Sequence, residues 1–128
     1  MLKKILYFAS VAEIGTGLVL IVSPAVVVRL LLGTDLSGVG IALGMCFGIT
    51  LFALGVACWP RGANAELGSP AFWGMLVYNA LIAILLVDLF AVGHFAGVML
   101  WPAVALHAAV ALLLGWTWIK ERPTRATQ

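Results

Sequence analysis

Four runs of mainly apolar residues, 2–23, 38–59, 71–92 and 98–119, fill most of this 128-residue chain. Each reaches the roughly 20 residues that an α-helix needs to cross the hydrocarbon layer of a bilayer. In lipid no water is at hand for a bare N–H or C=O, so a spanning segment must satisfy its own backbone and is helical. Hydrophobic residues make up 64% of the chain and charged residues 9%, with a mean hydropathy of +1.17, far outside the range of soluble domains. These features predict an all-α integral membrane four-helix bundle forming a single domain over residues 1–128.

The boundaries carry recognisable chemistry. Trp59-Pro60 ends the second helix; Ser69-Pro70 starts the third, with serine as N-cap and proline at the first helical position. "HFAG", His94 to Gly97, predicts a tight turn between the third and fourth. The Ser-Pro signature recurs at Ser23-Pro24, leading into "AVVVRLLLG", so a short extra helix is expected over 24–32, stopping at Gly33. It is too short to span, so it must lie in the interface or fold against the bundle between helices one and two. The opening "MLKKILYFASVAE" imitates a signal peptide, with small residues at Ser10 and Ala12, but its apolar run is short and Glu13 follows at once. A retained first membrane helix is expected.

Lysines and arginines fall unevenly about these spans. Lys3, Lys4, Arg61, Lys120, Arg122 and Arg125 share one side, and Arg29 alone falls on the other. The positive-inside rule predicts both termini in the cytoplasm. Trp59, Trp73, Trp116 and Trp118 then lie near the cytoplasmic interface and Trp101 near the outer one, where tryptophan is favoured. A net charge of +2 without a basic cluster argues against nucleic acid as a partner; the lipid bilayer is the expected one. Cys46 and Cys58 are about 18 Å apart along one helix, too far for a disulfide within the chain.

Within the second helix Gly40, Gly44 and Gly48 recur at every fourth position and Gly55 follows on the same face. Small residues let backbones approach closely, which is what associates helices in lipid. The stripe fits packing within the chain, a face for a second copy, or a face for another membrane subunit; periodicity does not separate these.

Polar residues are best placed by depth, at about 1.5 Å per residue. Glu13 lies roughly 16 Å into helix one, Asn79 roughly 12 Å into helix three and His107 roughly 14 Å into helix four, all close to the bilayer midplane. Thr16 and Thr50 are close to that layer. A charged carboxylate there costs at least about 2.5 kcal/mol, so Glu13 should face the bundle and be protonated or hydrogen-bonded, with His107 its expected partner. Glu13 shares its face with Ala9, Ser10, Thr16 and Gly17, and Ala103 and Ala111 flank His107 at four-residue spacing. Glu13, His107, Asn79 and Tyr78 read either as a polar pocket for a ligand head group or a proton, or as polar glue that sets helix register. An outer ion pair between Arg29 and Asp88 would pin the short helix; the alternative is that each reaches lipid phosphate or water alone.

Several chemistries lack their residues. Bis-histidine haem needs two deep histidines, and His94 sits in a turn. Two midplane ligands make no metal site. No hydrolase or phosphate-loop motif is present, and a Ser10, Glu13, His107 triad has only geometry in its favour. No internal repeat supports an inverted-repeat transporter. No cofactor is predicted.

The segments "EIGTGLVLIVSPAVVVRLLLG", "LGVACWP", "YNALIAILL" and "LWPAVALHAAVALLL" resemble those of small bacterial four-helix membrane proteins of the DoxX-like and related domain-of-unknown-function bundles. The resemblance covers most of the chain, rests on helix-boundary and packing patterns, and implies a multi-pass protein of the bacterial inner membrane; it transfers no catalytic residue. Related sequences often carry an arginine near the start of helix two where this chain has Met45-Cys46, so any charge pairing made there is absent here. The expected function is a non-enzymatic accessory or scaffold protein packing with itself or another membrane complex. The alternative is a binder or proton-coupled carrier of a small apolar or lipid-like ligand, such as a quinone, through the midplane site. A membrane enzyme without a recognisable motif is the third.

Overall fold

The computed structural model describes residues 1–121, and its regular elements are all helical. They are α1 (Leu2–Val22), α2 (Pro24–Leu32), α3 (Gly38–Ala57), α4 (Pro70–Ala91) and α5 (Leu100–Glu121), with one 3-10 turn at Gly62–Ala65. Helices α1, α3, α4 and α5 are each long and apolar enough to cross a membrane. The protein is thus a multi-pass membrane bundle with a short helix between its first two spans, as the sequence predicts. Met1, the Gly62–Ala65 turn and Glu121 share one end, called the near end below; α2 and the α4–α5 connection share the far end. Arg122 and Arg125, counted in the charge asymmetry, lie outside the described residues.

Helix ends follow local chemistry. Ser69 Oγ accepts from Phe72 N at 3.1 Å and donates to the Asn64 carbonyl at 3.0 Å, which caps α4 and ties it to the preceding turn. Asn64 Nδ2 in turn donates to the Ala57 carbonyl at 3.0 Å, occupying one of the acceptors left over at the end of α3. Ser23 differs: its side chain makes no capping bond. Its N–H instead closes on Val19 O at 2.7 Å, ending α1, and Pro24 restarts the helix in a new direction.

Small residues bring α1 and α3 together as an antiparallel pair. A methyl group added to Gly17 would sit 2.6 Å from the backbone nitrogen of Phe52 and 2.7 Å from the Gly48 carbonyl oxygen. One added to Gly48 would sit 2.8 Å from the Gly17 carbonyl oxygen, and one on Gly55 would be 2.7 Å from that of Ser10. Gly44 repeats the pattern against Pro24, 2.8 Å from its Cβ. The stripe is therefore spent inside the chain. Gly40 is the exception, since it meets the side chain of Leu36 just before its own helix.

Helices α4 and α5 pair through larger groups. Phe72 stacks on Trp118 at 5.6 Å near one end, and Phe90 meets Trp101 edge-on at 5.1 Å near the other. The two pairs join at the near end, where Leu2, Ile5, Leu6 and Ala9 of α1 form a core with Phe72 and Met75 of α4 and Val110 and Leu114 of α5. Toward the far end that core gives out, and α3 scarcely touches α4. Trp59 packs on Tyr7 and Trp73 on Trp118 at the near end, each at 4.9 Å, while Trp101 marks the far end, in keeping with two aromatic belts.

The Arg29–Asp88 pairing does not form. Arg29 Nε instead lies 3.9 Å from Asp35 Oδ1, on side chains 76% and 88% exposed, a pairing that contributes little. Asp35 follows within six residues, past the left-handed turn at Gly33, so it is the carboxylate nearest at hand. What holds α2 is backbone: Met99 N donates to Leu30 O at 2.8 Å and Ala96 N to Leu32 O at 3.2 Å, satisfying carbonyls that a helix C-terminus leaves bare. Gly97 allows this approach, because a Cβ there would collide with the Leu30 and Leu31 backbone.

Replacing Gly48 by Val should cost about 1–3 kcal/mol, because the Gly17 carbonyl and Ile21 amide that it meets are backbone and cannot step aside. Replacing Gly15, which has open space around it, by Ala should leave stability unchanged or raise it by up to about 1 kcal/mol. Equilibrium unfolding in mixed micelles measures both.

Candidate functional site

Where the helix pairs diverge they enclose a cavity of about 710 Å³, walled by all five helices. Helix α1 contributes Glu13 and Thr16, α3 contributes Gly44 and Leu51, α4 contributes Tyr78 and Leu86, and α5 contributes Ala103 and His107. Val27 and Leu31 of α2 close the far end as a roof. The wall is almost wholly aliphatic. Its polar groups gather at one level, Glu13 across from Tyr78 and His107.

The structure brings all four residues of the predicted layer together, but pairs them differently. Glu13 is buried, at 3% exposure, and its carboxyl is reached by the Tyr78 hydroxyl. His107 Nδ1 lies 2.8 Å from Asn79 Oδ1. The expected Glu13–His107 pairing is absent among the described residues, where neither ring nitrogen comes within 4.0 Å of a carboxylate. Tyr78 stands between them, its ring edge-on to His107 at 5.8 Å. The reason is register: successive residues Tyr78 and Asn79 point about 100° apart on α4, so one faces α1 and the other α5.

Asn79 is fully buried behind the cavity wall and donates from Nδ2 to the Met75 carbonyl at 2.8 Å. Thr50 turns away from this layer, bonding back to Cys46 O at 3.0 Å on its own helix. Thr16 lines the cavity. Ser10 is buried with no hydrogen-bond partner for its hydroxyl among the described residues, so no base activates it as the nucleophile of a triad. Among the described residues no three His, Cys, Asp or Glu side chains converge as metal ligands. Cys58 is buried at the near end and Cys46 is exposed; both are free thiols.

The roof is the part that sequence reasoning missed. "HFAG" signals a turn and carries no mark of the backbone bonds from Ala96 and Met99 that seat α2 over the cavity. Within this turn His94 adopts a left-handed φ of 55°. Val11 and Val19 of α1 and Leu106 of α5 line the cavity while being 46%, 50% and 36% exposed, so it opens sideways between these helices. There the surroundings are lipid.

Comparison with protein-family models, with curated proteins and with solved structures finds no match for this chain.

Asn79 and His107 should show a coupling energy of about 0.5–1.7 kcal/mol in a double-mutant cycle built from Asn79→Leu, His107→Leu and the double variant. Unfolding in mixed micelles reads the cycle; a coupling of zero would remove the hydrogen bond as a stabilising contact.

Proposed function

We propose that this protein binds a small apolar or lipid-like molecule within the membrane, with the cavity as its site and Glu13, Tyr78 and His107 at the polar end. The observation that carries this reading is the cavity itself. Packed interiors hold few voids larger than a water molecule, whereas about 710 Å³ falls within the range of ligand sites, mostly apolar with a few convergent polar groups. The sideways opening gives a membrane-dissolved molecule a route that crosses no aqueous phase.

A glycine stripe left free would have supported the scaffold reading, as a face for a second copy or another subunit. Three of its four glycines are occupied within the chain, by Pro24, Gly17 and the Ser10–Ile14 turn, which removes that support. Polar glue describes Asn79 well, since both ends of its amide are engaged. It describes Glu13 less well, because a residue that only fastened helices would not border an open space.

The finer placement belongs to the same proposal: the bacterial inner membrane, with Lys3, Lys4, Arg61 and Lys120 at the cytoplasmic end and Arg29 at the outer one. A fluorescent reporter fused after Gln128 should fold and emit in cells, and a cysteine placed at Asp35 should react with a membrane-impermeant thiol reagent from outside.

Protein purified in mild detergent, extracted with organic solvent and analysed by mass spectrometry should carry one small amphiphile per chain. Ala103→Trp, which fills the cavity from α5, should lower that occupancy at least tenfold while the protein stays folded. Full occupancy in the filled variant would overturn the reading.

A further inference from the structure

Asn79 dictates the hydrogen-bonding sense of His107. Its amide nitrogen faces the Met75 carbonyl oxygen at 2.8 Å, where only an N–H can stand, so the amide oxygen is the atom turned to His107. That oxygen lies 2.8 Å from Nδ1 and can only accept, so Nδ1 carries the proton. In a neutral imidazole the other nitrogen, Nε2, is then a bare acceptor. A cationic ring is disfavoured here, because the described residues bring no carboxylate within 4.0 Å of it and a lone charge inside a membrane is costly. Among the described residues Nε2 has no hydrogen-bond partner. His107 lines the cavity while Asn79 stands behind the wall, so the edge of the ring that carries Nε2 is the one left to an occupant.

We propose that the cavity selects molecules whose polar end carries a hydrogen-bond donor, a hydroxyl on an otherwise apolar chain or ring, over those ending only in an acceptor such as an ether, ester or ketone. This rests on the cavity being a ligand site. A hydroxyl donates to Nε2 and so supplies the partner that the polar layer leaves that nitrogen without. An ether oxygen in the same place sets lone pair against lone pair and leaves Nε2 without a partner. An aliphatic wall offers nothing to compensate.

The test uses the full chain in lipid nanodiscs with equimolar hexadecanol and its methyl ether, which share a tail and differ in the donor. Bound material is extracted and quantified by mass spectrometry. The wild-type protein should take the alcohol over the ether by about tenfold, the discrimination expected when a buried acceptor is left unpaired. In His107→Leu the ratio should fall to about one. Because that variant also strips Asn79 of its partner, nitrogen-15 NMR of histidine-labelled wild-type protein gives an independent reading. Nδ1 should be protonated and Nε2 bare, with only Nε2 shifting strongly when hexadecanol is added. Equal uptake of alcohol and ether by the wild type, or a proton on Nε2 in the free protein, would overturn the selectivity and leave the ligand site standing. Uptake of neither probe would overturn both.

Discussion

At Gly17 and Gly48 the backbones of α1 and α3 approach so closely that a single added methyl on either residue would strike main-chain atoms of the other helix. In lipid, burying an apolar side chain against another helix gains little over burying it against acyl chains, so association depends on contacts such as this one. It makes α1 and α3 a rigid unit, and the rest of the fold follows from that. With α1 drawn onto α3, its opposite side is left to meet α4 and α5, and it joins a core with them only near the N-terminus, where Leu2, Ile5, Leu6 and Ala9 fill the space. Further along, Gly15 and Thr16 fill little of it, and the pairs stand apart.

The cavity is thus a consequence of where bulk is placed along α1. Its persistence depends on α2, which would otherwise have no reason to sit across the opening. Nine apolar residues lying at a membrane surface could take many positions. Here Pro24 locks against Gly44 at one end, and the chain between α4 and α5 donates two backbone hydrogen bonds at the other. Backbone bonds suit this task better than the Arg29 side chain, whose contact with Asp35 is exposed and long.

Much of the framework was legible. Apolar run length set the four spans to within two residues at each end, and the Ser-Pro steps marked both α2 and α4. The polar layer was legible by depth alone, since residues at one height on neighbouring helices must lie near one another. Their pairing was not. Depth says nothing about rotation of a helix about its own axis, and that rotation gives Glu13 to Tyr78 and leaves Asn79 to His107. The use of the glycine stripe was equally open, because a smooth face looks the same whether its partner is the same chain or another.

The sequence by itself determined that this chain lives in a membrane, how many times it crosses, and at what depth its polar groups sit, because hydrophobic length and the cost of an unpaired backbone in lipid act on each segment separately. Tertiary structure alone decided which polar groups bond, that α2 serves as a roof, and that a space remains between the helix pairs. Those properties arise from the fit between surfaces distant in sequence, where the gap left by Gly15 on α1 is defined only once α4, α5 and α2 have taken their places around it.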